Sequence, residues 1–299
     1  MPPRTPAASR ITLSLCNLGS GSGGNATLLR RTAPDGADEL CMIDAGFGPR
    51  TVATRMAQAG VDLAQLRTLC VTHFDRDHFK PRWCSLLGDL GVRVLCHRWH
   101  VPELERCRDA WCLLDAGLVE EFEDGDTLSV LPGITAKPFR CQHDLQGTSA
   151  FRFDGGGLSV GFATDLGHVP VGLLDHFAGL DALCIEANYD HGMTTQSSRP
   201  SFVNRRNLSD SGHLSNEQAR DAVTQILERG PAGRLRDVLL LHRSSQCNHP
   251  TKVRRCFEPL TAGGGDRCRV IQTQPRRRTR WIGLRPWSAV RREQLRFAW

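Results

Sequence analysis

The sequence lacks several features that would place it among membrane, secreted or nucleoside-triphosphate-binding proteins. No apolar run approaches the roughly 20 residues that a membrane-spanning helix needs. Residues 1–10 carry three prolines and lack the apolar stretch of a signal peptide, so we expect a cytoplasmic protein with no membrane partner. The Gly/Ser-rich segment 18–25 is not followed by Gly-Lys-Ser/Thr, which excludes a Walker A phosphate loop.

Cysteine is abundant, but its spacing is not that of a metal knuckle. None of the twelve cysteines is separated from another as C-x-x-C. Cys41, Cys70, Cys96 and Cys184 lie inside apolar, strand-like runs, where cysteine behaves as a small hydrophobic residue in a reducing compartment. We therefore disfavour both a disulfide framework and a cysteine-ligated zinc site.

Positive charge is concentrated at the C-terminal end of the chain. The net charge is +6, yet residues 276–299 contain eight arginines and one glutamate, so the remainder is close to neutral. Trp281, Trp287, Phe297 and Trp299 alternate with these arginines, a combination that suits phosphate and base contacts. A solvated or folded-back tail is an equal alternative, and the tryptophans favour docking on the body of the protein.

One segment concentrates side chains that bind metal ions. His73, Asp75, Asp77 and His78 occur within six residues, directly after the apolar, strand-like run 69–71. Imidazole and carboxylate groups are ligands that zinc, iron and manganese accept. Imidazole and carboxylate groups this close compete for protons or repel one another unless a cation binds between them. The alternative to a metal site is a polar loop in which the histidines occur by chance.

Metal-capable residues also follow apolar strands elsewhere in the chain. His73, His143, Asp165, Glu186 and His242 each end such a strand. Loops at one edge of a rigid sheet scaffold can bring such residues together. The repetition therefore favours one convergent metal site assembled from distant segments.

The order of the predicted elements indicates an α/β protein. Strands and helices alternate at first, whereas three short strands at 118–122, 127–131 and 134–139 suggest a second, more antiparallel sheet. We interpret 191–212 as a long surface loop because it is polar and rich in glycine, serine and arginine. We place His97, His100, His176 and His249 at the surface.

With these motifs in this order, the sequence resembles the metallo-β-lactamase fold superfamily over residues 11–274. Five short segments resemble its YycJ/WalJ branch, at 20–25, 164–167, 186–189, 212–216 and 241–244. The resemblance implies an αββα sandwich of two mixed β-sheets, with residues 1–10 and 275–299 as tails. It also implies a hydrolase that uses water activated by two metal ions, with 5′-to-3′ DNA exonuclease activity.

The resemblance also implies which residues hold the two divalent ions. Carried over by position, one ion takes His73, Asp75 and His143, the other takes Asp77, His78 and His242, and Asp165 bridges both. Asp75 stands where the family loop usually has histidine, and a carboxylate there shifts the preference from zinc toward manganese or iron. A side chain too short to reach the ion would instead leave one metal or none. Asp44 is a candidate acceptor for a ligand imidazole N–H.

The remaining predictions concern chemistry and substrate. We expect catalytic roles for Asp77, Asp165 and His213, and substrate contacts from Ser20, Ser22, Asn25, His213 and Ser215. His213 precedes a predicted helix N-terminus, where phosphate is favoured, and its alternative is to replace His242 as a ligand. We expect a nucleic acid partner, with DNA favoured over RNA. The alternatives are a hydrolase of a thioester, lactone or cyclic phosphodiester, and a non-catalytic relic that binds nucleic acid.

Overall fold

Short apolar segments separated by turn residues form the strands of this protein. The structure is a computed structural model, and it describes residues 11–261 and 268–286. In chain order, the strands are β1 (Thr12–Gly19), β2 (Ala26–Thr32), β3 (Asp38–Ile43), β4 (Leu66–Cys70), β5 (Arg93–His97), β6 (Val119–Phe122), β7 (Leu128–Leu131), β8 (Ile134–Cys141), β9 (Thr148–Gly155), β10 (Leu158–Ala163), β11 (Ala182–Glu186), β12 (Asp237–Leu241), β13 (Arg269–Gln272) and β14 (Ile282–Gly283).

Helices follow most of the strands that run parallel to a neighbour. They are α1 (Pro49–Gln58), α2 (Trp83–Leu90), α3 (Val101–Glu105), α4 (Trp111–Leu114), α5 (Val171–His176), α6 (His191–Thr195), α7 (Ser201–Asn207), α8 (Asn216–Glu228) and α9 (Pro250–Thr261). Within the described ranges, no helix combines the length and apolar character that a bilayer crossing requires.

The strands form two mixed sheets of seven strands each. The order in the first sheet is β14-β1-β2-β3-β4-β5-β6, and in the second it is β13-β12-β11-β10-β9-β8-β7. Each sheet has an antiparallel part and a parallel part. The parallel part runs from β3 to β6 in the first sheet and from β10 to β13 in the second. Parallel neighbours place their carboxyl ends at the same edge, so this topology gathers the residues that follow β3, β4, β10, β11 and β12.

Alternating side chains of the strands supply three hydrophobic layers. In β3, Cys41 and Ile43 join Phe151 of the second sheet in a core between the sheets. Leu40 and Met42 point to the opposite face, where they pack with helices α1 and α2. Helices α5, α8 and α9 cover the outer face of the second sheet in the same way. The predicted αββα sandwich of two mixed sheets is confirmed.

One predicted strand belongs to a different sheet from the one expected. The segment 118–122 forms β6 at the edge of the first sheet, parallel to β5, and not part of the second sheet. The short helices α3 and α4 carry the chain back between β5 and β6. A parallel pair requires such a crossover, and the sequence pattern of one strand does not reveal which neighbour it will pair with.

Two further details differ from the sequence-based expectations. The segment 191–212 is not a continuous loop, because the Asp190 side chain accepts from the Met193 backbone N–H and caps α6, while Pro200 precedes α7. His97 and His100 are only 3% and 2% exposed, so their predicted surface positions are wrong. All twelve cysteines are free.

The first part of the arginine-rich tail packs on the first sheet. Strand β14 pairs antiparallel with β1. The indole N–H of Trp281 donates to the Ala59 carbonyl at 2.8 Å, and the guanidinium of Arg30 lies 4.1 Å from its ring centroid. Residues 1–10 and 287–299, which include the predicted N-terminal tail and half of the predicted C-terminal tail, lie outside the described residues.

Candidate metal centre

Three residues at strand ends adopt a backbone conformation that non-glycine residues rarely use. Asp44 after β3, Asp165 after β10 and His242 after β12 have φ angles of 61°, 56° and 51°. The left-handed region costs an L-residue about 1–2 kcal/mol, and such strain concentrates at functional sites. The sharp turn at each strand end directs these side chains toward one point between the two sheets.

Asp77, His78 and His242 form what we call the closed group. The Asp77 Oδ2 atom lies 3.0 Å from His242 Nε2 and 3.8 Å from His78 Nε2. The two imidazoles are buried, and the Asp77 side chain is 23% exposed. The structure therefore brings together a residue pair from the loop after β4 and a histidine from the end of β12.

His73, Asp75 and His143 form what we call the open group. The His73 Nε2 atom lies 3.8 Å from Asp75 Oδ2, and the rings of His73 and His143 are 5.3 Å apart. The Asp75 side chain is 52% exposed, whereas both histidines are buried. Asp75 therefore reaches the same region as the two imidazoles, despite its short side chain.

Asp165 lies between the two groups. Its Oδ2 atom is 3.0 Å from His78 Nε2 in the closed group, and its Oδ1 atom is 4.0 Å from His143 Nε2 in the open group. Thr164 Oγ1 donates to Oδ2 at 2.8 Å. This is the arrangement expected of a carboxylate that bridges two ions.

Three imidazoles are held at Nδ1 with Nε2 turned toward the cluster. His78 Nδ1 is 2.7 Å from Asp44 Oδ2, and His143 Nδ1 is 2.9 Å from the Gly212 carbonyl. His73 Nδ1 is 3.0 Å from Thr72 Oγ1. Donation from Nδ1 to such an acceptor fixes the ring and leaves the Nε2 lone pair available to a metal ion. Asp44 thus occupies the place predicted for it.

Glu186 is a buried member of the site that the predicted ligand set omitted. Its Oε2 atom accepts from the Leu166 backbone N–H at 2.9 Å, and its Oε1 atom lies 2.7 Å from His213 Nδ1. His213 also lies 3.4 Å from Asp165 and stacks on the His242 ring. The end of an apolar strand at Glu186 was the sequence signal, but the pairing with His213 required the fold.

Burial and the neighbouring charges shift the pKa values of the histidines in the cluster. Burial opposes protonation of His78, yet Asp165 and Asp44 raise its pKa well above the usual value. Burial also opposes protonation of His242, but Asp165 and other carboxylates raise its pKa to about 10. In contrast, burial and then the neighbouring His78 keep the pKa of His73 well below the usual value. A metal ion at the closed group would therefore displace protons, whereas His73 is ready to bind as a neutral imidazole.

Most of the side chains predicted to contact substrate make internal hydrogen bonds. Ser20 Oγ donates to Asn25 Oδ1 at 2.7 Å and accepts from the His242 backbone N–H at 2.8 Å. Ser215 Oγ accepts from the Gln218 backbone N–H at 3.1 Å and caps α8. These bonds favour a positioning role for Ser20, Asn25 and Ser215. Ser22 is exposed in the loop before β2 and, with His213, remains a candidate for substrate contact.

The donor atoms fit two divalent ions that share Asp165. One ligand atom from each of His73, His143 and Asp165 lies within 4.8 Å of the others, and the same holds for Asp77, His78 and His242. Ligands about 2.1 Å from one tetrahedral ion lie about 3–4 Å from each other. His73 Nε2 is buried without a hydrogen-bond partner, which a coordinated metal ion would supply.

Comparison with known proteins identifies the family. The sequence profile of the family described as "Beta-lactamase superfamily domain" matches residues 41–234, well over half of the chain. The chain belongs to the metallo-β-lactamase superfamily. The resemblance drawn from the ordered motifs is confirmed, and the metallo-β-lactamase fold implies divalent metal ions.

Two similar proteins and one solved structure resemble this superfamily member over most of its length. Exodeoxyribonuclease YycJ of Bacillus anthracis is 25% identical over 274 residues, which cover 88% of this chain and 96% of the relative. Exodeoxyribonuclease WalJ of Streptococcus pneumoniae serotype 2 is 27% identical over 285 residues, covering 89% and 96%. The metallo-beta-lactamase fold protein YhfI from Bacillus subtilis aligns with a TM-score of 0.63 at 13% identity, covering 91% of this chain and 99% of that one, a likeness of fold alone.

Proposed function

We propose that this superfamily member is a metal-dependent phosphodiesterase that degrades DNA as an exonuclease. The observation that carries the proposal is the pair of ligand groups that share Asp165, because a two-ion site suits the displacement of a phosphoryl oxygen. The two similar proteins named exodeoxyribonuclease support DNA as the substrate.

Under this proposal, the ligand residues form two sets that share Asp165, one for each ion. His73, Asp75, His143 and Asp165 would hold one ion, and Asp77, His78, His242 and Asp165 the other. Such a pair supplies an activated water and stabilises the attacking and leaving oxygens of the phosphodiester. Asp44, Thr72 and the Gly212 carbonyl orient the imidazoles through their Nδ1 atoms. The anionic Asp75 favours manganese or iron over zinc.

His213 is our candidate for the group that acts on the substrate phosphate. Glu186 fixes the ring through Nδ1 at 2.7 Å, which leaves Nε2 for the substrate. Burial opposes its protonation, but Glu186 raises the pKa of His213 above the usual value. The protonated ring can neutralise phosphate charge or pass its proton to the leaving oxygen.

The proposal is tested with purified protein supplied in turn with manganese, iron and zinc. The substrates are 5′-phosphorylated single- and double-stranded DNA and RNA of the same sequence. We expect stepwise release of mononucleotides from DNA, loss of this activity with a chelator, and its recovery on addition of manganese. Protein that retains two ions by elemental analysis and cleaves neither nucleic acid would contradict the proposal.

A further inference from the structure

A cavity of about 630 Å³ opens beside the open group. The proposed ligands His73, Asp75 and His143 line one part of it. Phe74, His100, Glu103, the turn 144–147 and Arg206 also line it. Whatever enters this cavity lies against the proposed metal ligands, so the remaining lining residues are placed to select the substrate.

A fixed carboxylate lies on the wall of the cavity. His100 is almost fully buried, and its Nδ1 atom lies 2.6 Å from Glu103 Oε2. When the Gln146 amide is turned with its nitrogen toward Glu103, that nitrogen donates to the two carboxylate oxygens at 2.5 and 2.6 Å. The Glu103 side chain is still 28% exposed. Glu103 therefore presents an oriented hydrogen-bond acceptor to a ligand.

Apolar groups border the same space. Phe74 lies between the ligands His73 and Asp75 in sequence and is partly exposed to the cavity. Leu145, in the turn 144–147, also lines the cavity and is 98% exposed. A flat aromatic ligand would cover part of both side chains, and stacking of a nucleobase on an aromatic residue contributes about 1–3 kcal/mol.

A cation also lines the cavity. The Arg206 guanidinium pairs with the Asp144 carboxylate, which in turn lies 3.9 Å from His143 Nε2. The Nε and Nη2 atoms of Arg206 both donate to the Asp144 carboxylate. The Nη1 atom is therefore the part of the guanidinium left for a phosphate that approaches the open group from the cavity side.

We propose that this cavity binds the nucleobase next to the phosphate that is cleaved, and that Glu103 favours bases carrying an exocyclic amino group. This inference rests on the proposed function and specifies which nucleobases the same site prefers. A carboxylate accepts from the amino group of cytosine, and the amino groups of adenine and guanine offer the same kind of donor. Thymine has no amino group and presents a carbonyl oxygen at the equivalent position.

The test measures binding, so that its outcome is independent of turnover. We titrate manganese-loaded protein calorimetrically with dCMP, dTMP and 2-deoxyribose 5-phosphate. We expect dCMP to bind roughly tenfold more tightly than dTMP, the discrimination of one good hydrogen-bonded pair, and the sugar phosphate to bind most weakly. Equal affinities for the three probes would overturn the inference.

Matched variants assign the selectivity to one residue. Glu103→Gln should remove most of the preference for dCMP, while Glu105→Gln, an exposed residue of the same helix outside the cavity lining, should retain it. A preference that survives Glu103→Gln would overturn the role of Glu103. Hydrolysis of bis(p-nitrophenyl) phosphate, measured in parallel, reports on the phosphodiesterase proposal alone. Base-selective binding without that hydrolysis would support the cavity assignment and count against the proposed activity.

Discussion

The closed and open ligand groups share Asp165 but differ in how firmly the protein holds them. In the closed group, Asp44 fixes His78, and Ser20 binds the backbone of His242. In the open group, the Asp75 side chain is 52% exposed and a large cavity adjoins both histidines. We therefore expect the closed group, whose ligands are preformed and buried, to retain its ion. The ion of the open group would face the substrate and exchange more readily.

Removing the shared carboxylate should have the largest effect, because it damages both groups. Asp165→Asn keeps the size of the side chain but removes the charge that lies 3.0 Å from His78 Nε2. We expect cleavage to fall by at least about 10³-fold, more than the roughly 10–100-fold typical when a ligand's hydrogen-bond partner is lost. Elemental analysis should show loss of both ions. A variant with full ion content and unchanged rate would show that Asp165 does not bridge.

Two aspartates in the same loop allow the groups to be compared directly. Asp77→Asn should lose one ion and nearly all activity, because the Asp77 carboxylate faces both imidazoles of the closed group. Asp75→Asn should weaken only the exchangeable ion, by roughly 10–100-fold, and excess manganese should restore its activity. Manganese-dependent rates and ion content measure both effects. If the two variants behave alike, the distinction between the groups fails.

Proton release offers a third contrast. The pKa of His242 is raised to about 10 and that of His78 is also raised, whereas the pKa of His73 is lowered. Below the raised values, an ion entering the closed group must displace protons, so its affinity should increase about tenfold per pH unit for each proton released. Affinity at the open group should change less above pH 7. Potentiometric titration of metal-depleted protein measures both, and equal slopes for the two ions would contradict this assignment.

The same pKa shift affects the stability of the metal-depleted protein. A histidine whose folded pKa is raised stabilises the fold fully below its unfolded value of about 6.5. For His242, that contribution should disappear as the pH rises through about 10. Thermal unfolding at several pH values should therefore show a decline over this alkaline range, and His242→Gln should make the decline smaller.

Much of the fold was predictable because its signals are local. Period-two strands and the apolar strands that end in metal-capable residues depend on neighbours in sequence, and they indicated an α/β protein with a convergent metal site. The sandwich and the division of the ligands into two groups came from the resemblance of the ordered motifs to the superfamily. Two features depend on contacts between distant segments and were therefore missed. The pairing of β6 with β5 requires the crossover through α3 and α4, and the Glu186–His213 bond joins residues 27 positions apart in sequence.

The backbone conformation at the strand ends was another feature that could not be predicted from the sequence. Aspartate and histidine adopt a positive φ more often than most non-glycine residues, but residue type alone does not predict it at Asp165 and His242, because the surrounding structure must compensate the strain. Likewise, the half-exposed position of Asp75 depends on where the loop after β4 meets the second sheet. The types of ligand residue could be predicted from the sequence. The difference in burial between the closed and open groups could not, because it depends on packing.

The smallest expected effect concerns the tail, which begins beside the closed group. The Ser20 backbone N–H donates to the Gln274 carbonyl at 3.3 Å, and β14 then adds to the first sheet. Truncation after Pro286 keeps β14 but removes three arginines and one glutamate. If those arginines contact DNA, the slope of log affinity against log salt should flatten by about 2. Fluorescence anisotropy with single-stranded DNA measures the slope between 50 and 200 mM KCl, a range that spans the usual salt response. An unchanged slope would show that residues 287–299 do not contribute to DNA binding.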